Sequence, residues 1–319
     1  MQIDFATLQQ RATRLMSRLS SCDICPRRCM VDRLNGEAGY CHSEEQPMVA
    51  AYCAHRGEEP AVSGIYGSGT IFFANCNLRC VFCQNYQISQ NWHMQHGNTI
   101  SIEMLADHMI ELQERGCHNI NFVSPTHFVP QIVQALVLAV PRGLKLPLVY
   151  NTNGYDSLET LRELDGIIDI YLPDIKYADA DMALKYSDAP AYVTIVRDAI
   201  QEMYRQTGNL LLDEHGIAFR GVIVRHLVLP HDIAGSRQSL NWLAHAVSAD
   251  VSLSLMSQYH PVHLAHRFPE INRHISLREY NRVMAALDEC GLENGWVQSA
   301  AAPESYLPDF GKDGHPFEN

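Results

Sequence analysis

From residue 70 onward the chain alternates short apolar runs with amphipathic stretches. The apolar runs fall at 70–74, 120–124, 148–151, 167–172, 222–229 and 251–256. Each is rich in β-branched or large apolar residues and nearly continuous, as parallel strands covered on both faces require. Helical faces lie between them. Residues 101–115 place Ile102, Leu105, Met109 and Leu112 on one side, with Gly116 as a stop. Asp156-x-x-Glu159 and Ser276-x-x-Glu279 read as capping boxes, the second opening a face of Leu277, Tyr280, Met284 and Leu287. Ser236 begins a helix bearing Leu240, Leu243 and Val247, and residues 189–206 read as a further helix, with strand the alternative over 193–196. Six strand–helix units in series predict an α/β fold with a parallel sheet. Six is too few for a closed eightfold barrel, so the expectation is a partial (β/α)6 barrel.

The first 69 residues have another texture, a short helix followed by a Cys- and Gly-rich stretch without long periodicity. They read as a metal-stapled appendage to a barrel over 70–302, with a loop-like tail over 303–319 containing Pro303, Pro308 and Pro316. Of 319 residues, 24 are Lys or Arg and 36 Asp or Glu, a net charge of -12. That excess of acid argues against a nucleic-acid partner, whose phosphates need clustered cations. The longest apolar stretch, 132–140, is interrupted by Gln134 and stopped by Pro141, far short of a membrane span. Residues 1–15 are amphipathic and lack the apolar run of a signal peptide, so a cytoplasmic location is expected. Thiols stay reduced there, and the ten cysteines therefore need an explanation other than disulfides. Seven of them are clustered at the short spacings of metal ligands.

Three follow the first predicted strand as Cys76-x3-Cys80-x2-Cys83, with Phe82 immediately before the last. Three thiolates on a tight loop suit three irons of a four-iron cluster and leave the fourth iron open for chemistry. This motif, its position and the six units resemble the radical S-adenosylmethionine (SAM) superfamily. The stretches 55–60 (HRGEEP), 67–73 (GSGTIFF), 83–86 (CQNY), 172–177 (LPDIKY) and 256–259 (MSQY) are similar to a branch described as like the activating enzyme of pyruvate formate-lyase. The resemblance runs from about Cys22 to the tail. It implies a 4Fe–4S cluster on Cys76, Cys80 and Cys83, SAM bound to the open iron, and Phe82 beside the adenine. It also implies an electron donor such as flavodoxin or ferredoxin, reductive cleavage to a 5′-deoxyadenosyl radical, and hydrogen abstraction from a glycine of a partner protein. A small-molecule substrate is the alternative. A non-catalytic iron–sulfur or zinc protein that senses redox state or carries electrons is the reading from another class.

Ligands of α/β folds sit at the carboxyl ends of the strands. At the second strand's end, activating enzymes carry a glycine-rich stretch with an acid; this chain has Ser124-Pro125-Thr126-His127 instead, making the hydroxyls of Ser124 and Thr126 candidate acceptors for the SAM amino group. Asn151 and Asn153 follow the third strand and resemble positions that touch SAM or substrate. Asp174 and Lys176, two residues apart, face the same way, as a ribose and a carboxylate contact or as a salt-bridged pair. Arg225, set among apolar residues, must meet an anion, either the methionine carboxylate or an internal acid such as Asp174. Met256 resembles an adenine-side position, and His55, Glu58 and Glu59 either face substrate or form a solvated turn. Cys22, Cys25, Cys29 and Cys41 supply a complete four-ligand set for a second iron–sulfur cluster or zinc; Cys117 and Cys290 read as core.

Overall fold

The computed structural model describes residues 1–299, 307–311 and 315–317. Nine strands form one sheet: β1 (Val49–His55), β2 (Ser68–Phe73), β3 (Ile120–Val123), β4 (Leu148–Thr152), β5 (Ile170–Pro173), β6 (Leu211–Leu212), β7 (Ala218–Leu227), β8 (Ser252–Met256) and β9 (Gly295–Val297). Their order is β1-β2-β3-β4-β5-β7-β8-β9, with β6 beside β7. From β2 to β9 every neighbour on this path is parallel, while β1 and β6 pair antiparallel. The six expected strands are β2, β3, β4, β5, β7 and β8, with bounds shifted by up to four residues; β1, β6 and β9 were not expected. The sheet is the partial barrel, left open between β1 and β9.

Among the described residues ten α-helices accompany the strands. They are α1 (Phe5–Ser17), α2 (Pro60–Ser63), α3 (Tyr86–Ser89), α4 (Ile102–Glu114), α5 (Val129–Ala139), α6 (Leu158–Glu163), α7 (Ala180–Ser187), α8 (Tyr192–Thr207), α9 (Ser236–Ala246) and α10 (Leu277–Cys290). Local signals place several of their ends. Ser101 caps α4 by accepting from Met104 N, and Ser276 with Glu279 forms the expected capping box of α10. The other expected box is absent. Ser157 caps α6, and Asp156 turns inward, where its carboxylate accepts from Thr126, Tyr150 and Thr152.

The first 69 residues do not stand apart. β1 pairs with β2 along its length, and α1 packs on α5 with Leu8, Ala12 and Leu15 buried in the main core. Burying two leucines and an alanine stabilises that contact by several kcal/mol, on the order of 2 kcal/mol per leucine. Arg11 adds a hydrogen bond to Glu163 O, and the chain's amino group pairs with Asp169. Of the expected tail, Pro308 and Pro316 lie in loop segments, whereas Pro303 lies outside the described residues.

Candidate active site

β2 ends on Phe73, and Asn75 then takes a left-handed backbone (φ 67°) that asparagine tolerates better than most residues. Its amide donates to His42 O at 2.9 Å, and its N–H to Ile88 O at 2.8 Å. This turn aims the following loop into a cavity of about 240 Å³ at the carboxyl ends of the parallel strands. Cys76, Cys80 and Cys83 all line it, and no other cysteine does among the described residues.

Each sulfur has a polar neighbour. Leu78 N and Asn153 Nδ2 donate to Cys76 Sγ, both at 3.4 Å, and Ser187 Oγ donates to Cys80 Sγ at 3.0 Å. Ser89 Oγ lies 3.1 Å from Cys83 Sγ. Burial pushes all three thiols up, Cys83 to about 12, with the neighbouring cysteines adding to the rise there. A cation that claims them must therefore displace their protons, while the hydrogen bonds favour the anionic sulfur it would leave. Among the described residues no three His, Cys, Asp or Glu side chains gather for a single metal ion. The three cysteines all face one cavity, as ligands of different irons would.

Of the expected SAM contacts, Phe82, Ser124, Asn151, Asn153, Asp174, Lys176, Arg225 and Met256 line this cavity. Phe82 is buried and meets Tyr259 edge-on at 5.6 Å. Ser124 has a left-handed backbone (φ 56°), the conformation a glycine adopts freely. Thr126 is the exception. It is not on the cavity wall, because its hydroxyl is committed to Asp156 Oδ1 at 2.8 Å. Lys176 pairs with Asp174; burial opposes its charge, but the carboxylate prevails and holds the ammonium above its ordinary value. From α8, the buried Tyr192 hydroxyl lies 3.0 Å from Asn153 O and 3.2 Å from Asp174 O, and accepts from Lys176 N. One side chain thus ties the ends of β4 and β5 together.

Arg225 finds its anion inside the protein. Its guanidinium binds Glu58 and both oxygens of Glu59, and reaches Asn151 Oδ1 at 3.1 Å. The internal acids are thus the glutamates after β1 rather than Asp174, and these two carboxylates are a buried ion-pair cluster rather than a solvated turn. His127 is also internal, with Nε2 at 2.9 Å from Ala74 O; burial lowers it to about 3, so the ring is neutral. Wall residues that were not among the expected contacts include Gln84, Leu227, Gln258 and Phe317. Phe317 comes from the C-terminal segment, and its ring lies tilted against His55 with centroids 4.3 Å apart, a placement no local pattern announces.

Residues 70–217, a little under half of the chain, match the Radical SAM superfamily. The chain is similar to uncharacterized protein MJ0674 of Methanocaldococcus jannaschii, 28% identical over 282 residues that span 86% of this chain and 76% of that protein. Among solved structures it is similar to a radical SAM methyltransferase from Sphaerobacter thermophilus, with 11% identity and a TM-score of 0.47 over 72% of this chain and 65% of the other. It is also similar to a domain of pyruvate-formate lyase-activating enzyme from Bacteroides vulgatus, with 12% identity and a TM-score of 0.37 over 62% of this chain and 91% of the other. That superfamily implies a 4Fe–4S cluster with SAM, and the match supports a SAM-cleaving radical enzyme. The cavity fits those groups, with three thiols under hydrogen-bond donors, an apolar ring at Phe82, and polar strand ends opposite.

Proposed function

We propose that Cys76, Cys80 and Cys83 hold the cluster and that the chain abstracts hydrogen from a substrate carbon in this cavity. The reading rests on one observation, the opening of all three thiols onto the same cavity as the carboxyl ends of β3, β4, β5, β7 and β8. When bound, the cluster and SAM supply one-electron chemistry, cleaving the sulfur–carbon bond to give methionine and a 5′-deoxyadenosyl radical. The chain's own part is to bind, orient and exclude water. Leu78 N, Asn153 and Ser187 hold the sulfur charge, Phe82 backed by Tyr259 offers an apolar face, and Asn151, Asn153 and the Asp174–Lys176 pair offer polar anchors. Tyr192 keeps the ends of β4 and β5 in register, so these anchors converge with little freedom left to lose.

The electron comes from a donor protein of flavodoxin or ferredoxin type. The resemblance to activating enzymes favours a glycine of a partner protein as the hydrogen source. A small molecule is favoured by the placement of Phe317 and His315 against His55 at the cavity edge, which narrows the way in for a polypeptide. Anaerobic reconstitution with iron and sulfide, then reduction with SAM, should release 5′-deoxyadenosine, and Cys80→Ala should abolish it. Release that survives Cys80→Ala defeats the assignment. Deuterium transferred into 5′-deoxyadenosine from glycine-labelled partner protein, or only from a labelled small molecule, decides between the substrates.

A further inference from the structure

The four N-terminal cysteines lie outside the cavity just described, yet they too share one. Cys22, Cys25, Cys29 and Cys41 line a small, almost wholly apolar cavity of about 10 Å³. Cys22, Cys25 and Cys41 are buried and Cys29 half-buried, and none forms a disulfide. The backbone closes around the sulfurs. Tyr40 N–H donates to Cys29 Sγ at 3.3 Å. Gly39 runs so close that a Cβ there would sit 2.7 Å from Cys29 Cβ and 2.9 Å from its sulfur.

Beside this cavity is a cation with no carboxylate. Arg33 is 1% exposed, and its guanidinium donates to Glu44 O at 2.7 and 3.1 Å, to His127 O at 2.8 Å, and toward Cys22 Sγ at 3.8 Å. Among the described residues it forms no ion pair with an acid. A guanidinium taken out of water needs negative charge nearby, and carbonyl oxygens supply only dipoles. Among the described residues, the ionisable side-chain atom it donates toward is Cys22 Sγ, from the foursome.

We propose that Cys22, Cys25, Cys29 and Cys41 ligate a second iron–sulfur cluster, closed by four protein thiolates and neutralised in part by Arg33. Four thiolates around such a core carry net negative charge where the buried cation requires it. The space favours a cluster over a single zinc ion. In a tetrahedral zinc site with Zn–S near 2.3 Å, the sulfurs stand roughly 3.8 Å apart and touch, leaving no room between them. Here the four cysteines line a cavity instead of closing on one point, and among the described residues no three His, Cys, Asp or Glu side chains gather around a single ion. With four ligands the cluster has no iron free for SAM, which separates it in kind from the centre on the triad.

The test uses the full chain with Cys76, Cys80 and Cys83 all changed to Ala, reconstituted anaerobically with iron and sulfide. About four irons and four sulfides per chain are expected to remain. Adding Cys22→Ala and Cys41→Ala should then remove them. The unaltered protein gives a readout that does not depend on how the variants fold: two reduced-cluster electron paramagnetic resonance signals, of which SAM changes only one. A triad-free chain that holds no iron, or holds one zinc in its place, overturns the proposal. So does iron that survives loss of Cys22 and Cys41, or a single signal in the unaltered protein at eight irons per chain.

Discussion

Arg225→Met tests the electrostatics of the cavity wall. The side chains of Arg225, Glu58 and Glu59 are only 12%, 9% and 6% exposed. Methionine keeps the apolar stem but removes the charge and leaves two carboxylates facing each other out of water. Glu58 retains the amide of Asn121 at 2.9 Å and of Asn151 at 3.4 Å, so it is better served than Glu59. Breaking a buried pair from one side costs about 3–5 kcal/mol, because the partner charge stays behind. With two carboxylates left, the upper half of that range is expected at pH 7, read as the shift in urea unfolding free energy. Burial alone would raise the Glu59 carboxyl, but Arg225 more than offsets this and holds it below its ordinary 4.5. In the unaltered protein this stabilisation is complete above that ordinary value and is lost as pH falls through the depressed folded value. In the variant Glu59 loses its cation and titrates higher, so the deficit should shrink as pH drops from 7 toward 5. Adding Glu58→Gln and Glu59→Gln should recover most of the loss. A deficit below about 1 kcal/mol at pH 7, or one that does not change with pH, would refute a load carried by this ion pair.

Leu15→Ala should cost about 2–5 kcal/mol in a single unfolding transition, because Leu15 belongs to the core shared by α1 and the barrel; a separate early transition would show an appendage instead. Ser187→Ala removes the hydroxyl donor to Cys80 Sγ. A bond worth about 0.5–1.5 kcal/mol converts to roughly 20–60 mV for one electron, and its loss should lower the midpoint potential, since the donor favours the more negative reduced cluster. An unchanged potential in spectroelectrochemical titration would count against that role. Tyr192→Phe should raise the KM for SAM more than it lowers kcat, because it loosens the ends of β4 and β5 without removing a cavity group. An effect on kcat alone contradicts it.

What the sequence made legible follows from how local each signal is. The triad is compressed into eight residues, so spacing and the neighbouring aromatic suffice to identify it. The buried parallel strands announce themselves by continuous apolar runs. β1 did not, because Val49–His55 is alanine-rich, carries only weak strand preference, and sits at the sheet edge. The amphipathicity of α1 was readable, but periodicity does not say onto what an apolar face docks, and hence the first 69 residues read only as an appendage. Asp156 and Thr126 were misjudged together for one reason. A pattern of Asp followed by Glu fits a cap equally whether the carboxylate turns out or in, and here it turns in to collect three hydroxyls. Arg225 required an anion on physical grounds, yet the anion lies 166 and 167 positions away, beyond any local pattern.

Contacts between the two cysteine loops tie residues 22–42 to the barrel. Arg27 Nε donates to Asn77 O at 3.0 Å, directly beside Cys76, and Arg79 of the triad loop donates to Tyr40 O. The Tyr40 ring meets both guanidinium groups, Arg27 at 3.6 Å and Arg79 at 4.3 Å, and its hydroxyl donates to Asp188 at 2.6 Å. Asp188 adjoins Ser187, whose hydroxyl meets Cys80. Asn75, at the turn that opens the triad loop, is fastened to His42 O, just past Cys41. Two loops brought together by strand pairing alone would leave these cations unmatched and the turn unsupported. Joined in this way, each loop supplies backbone acceptors or an aromatic face for the other's arginines. The triad's geometry is therefore set as much by residues 22–42 as by the barrel beneath it.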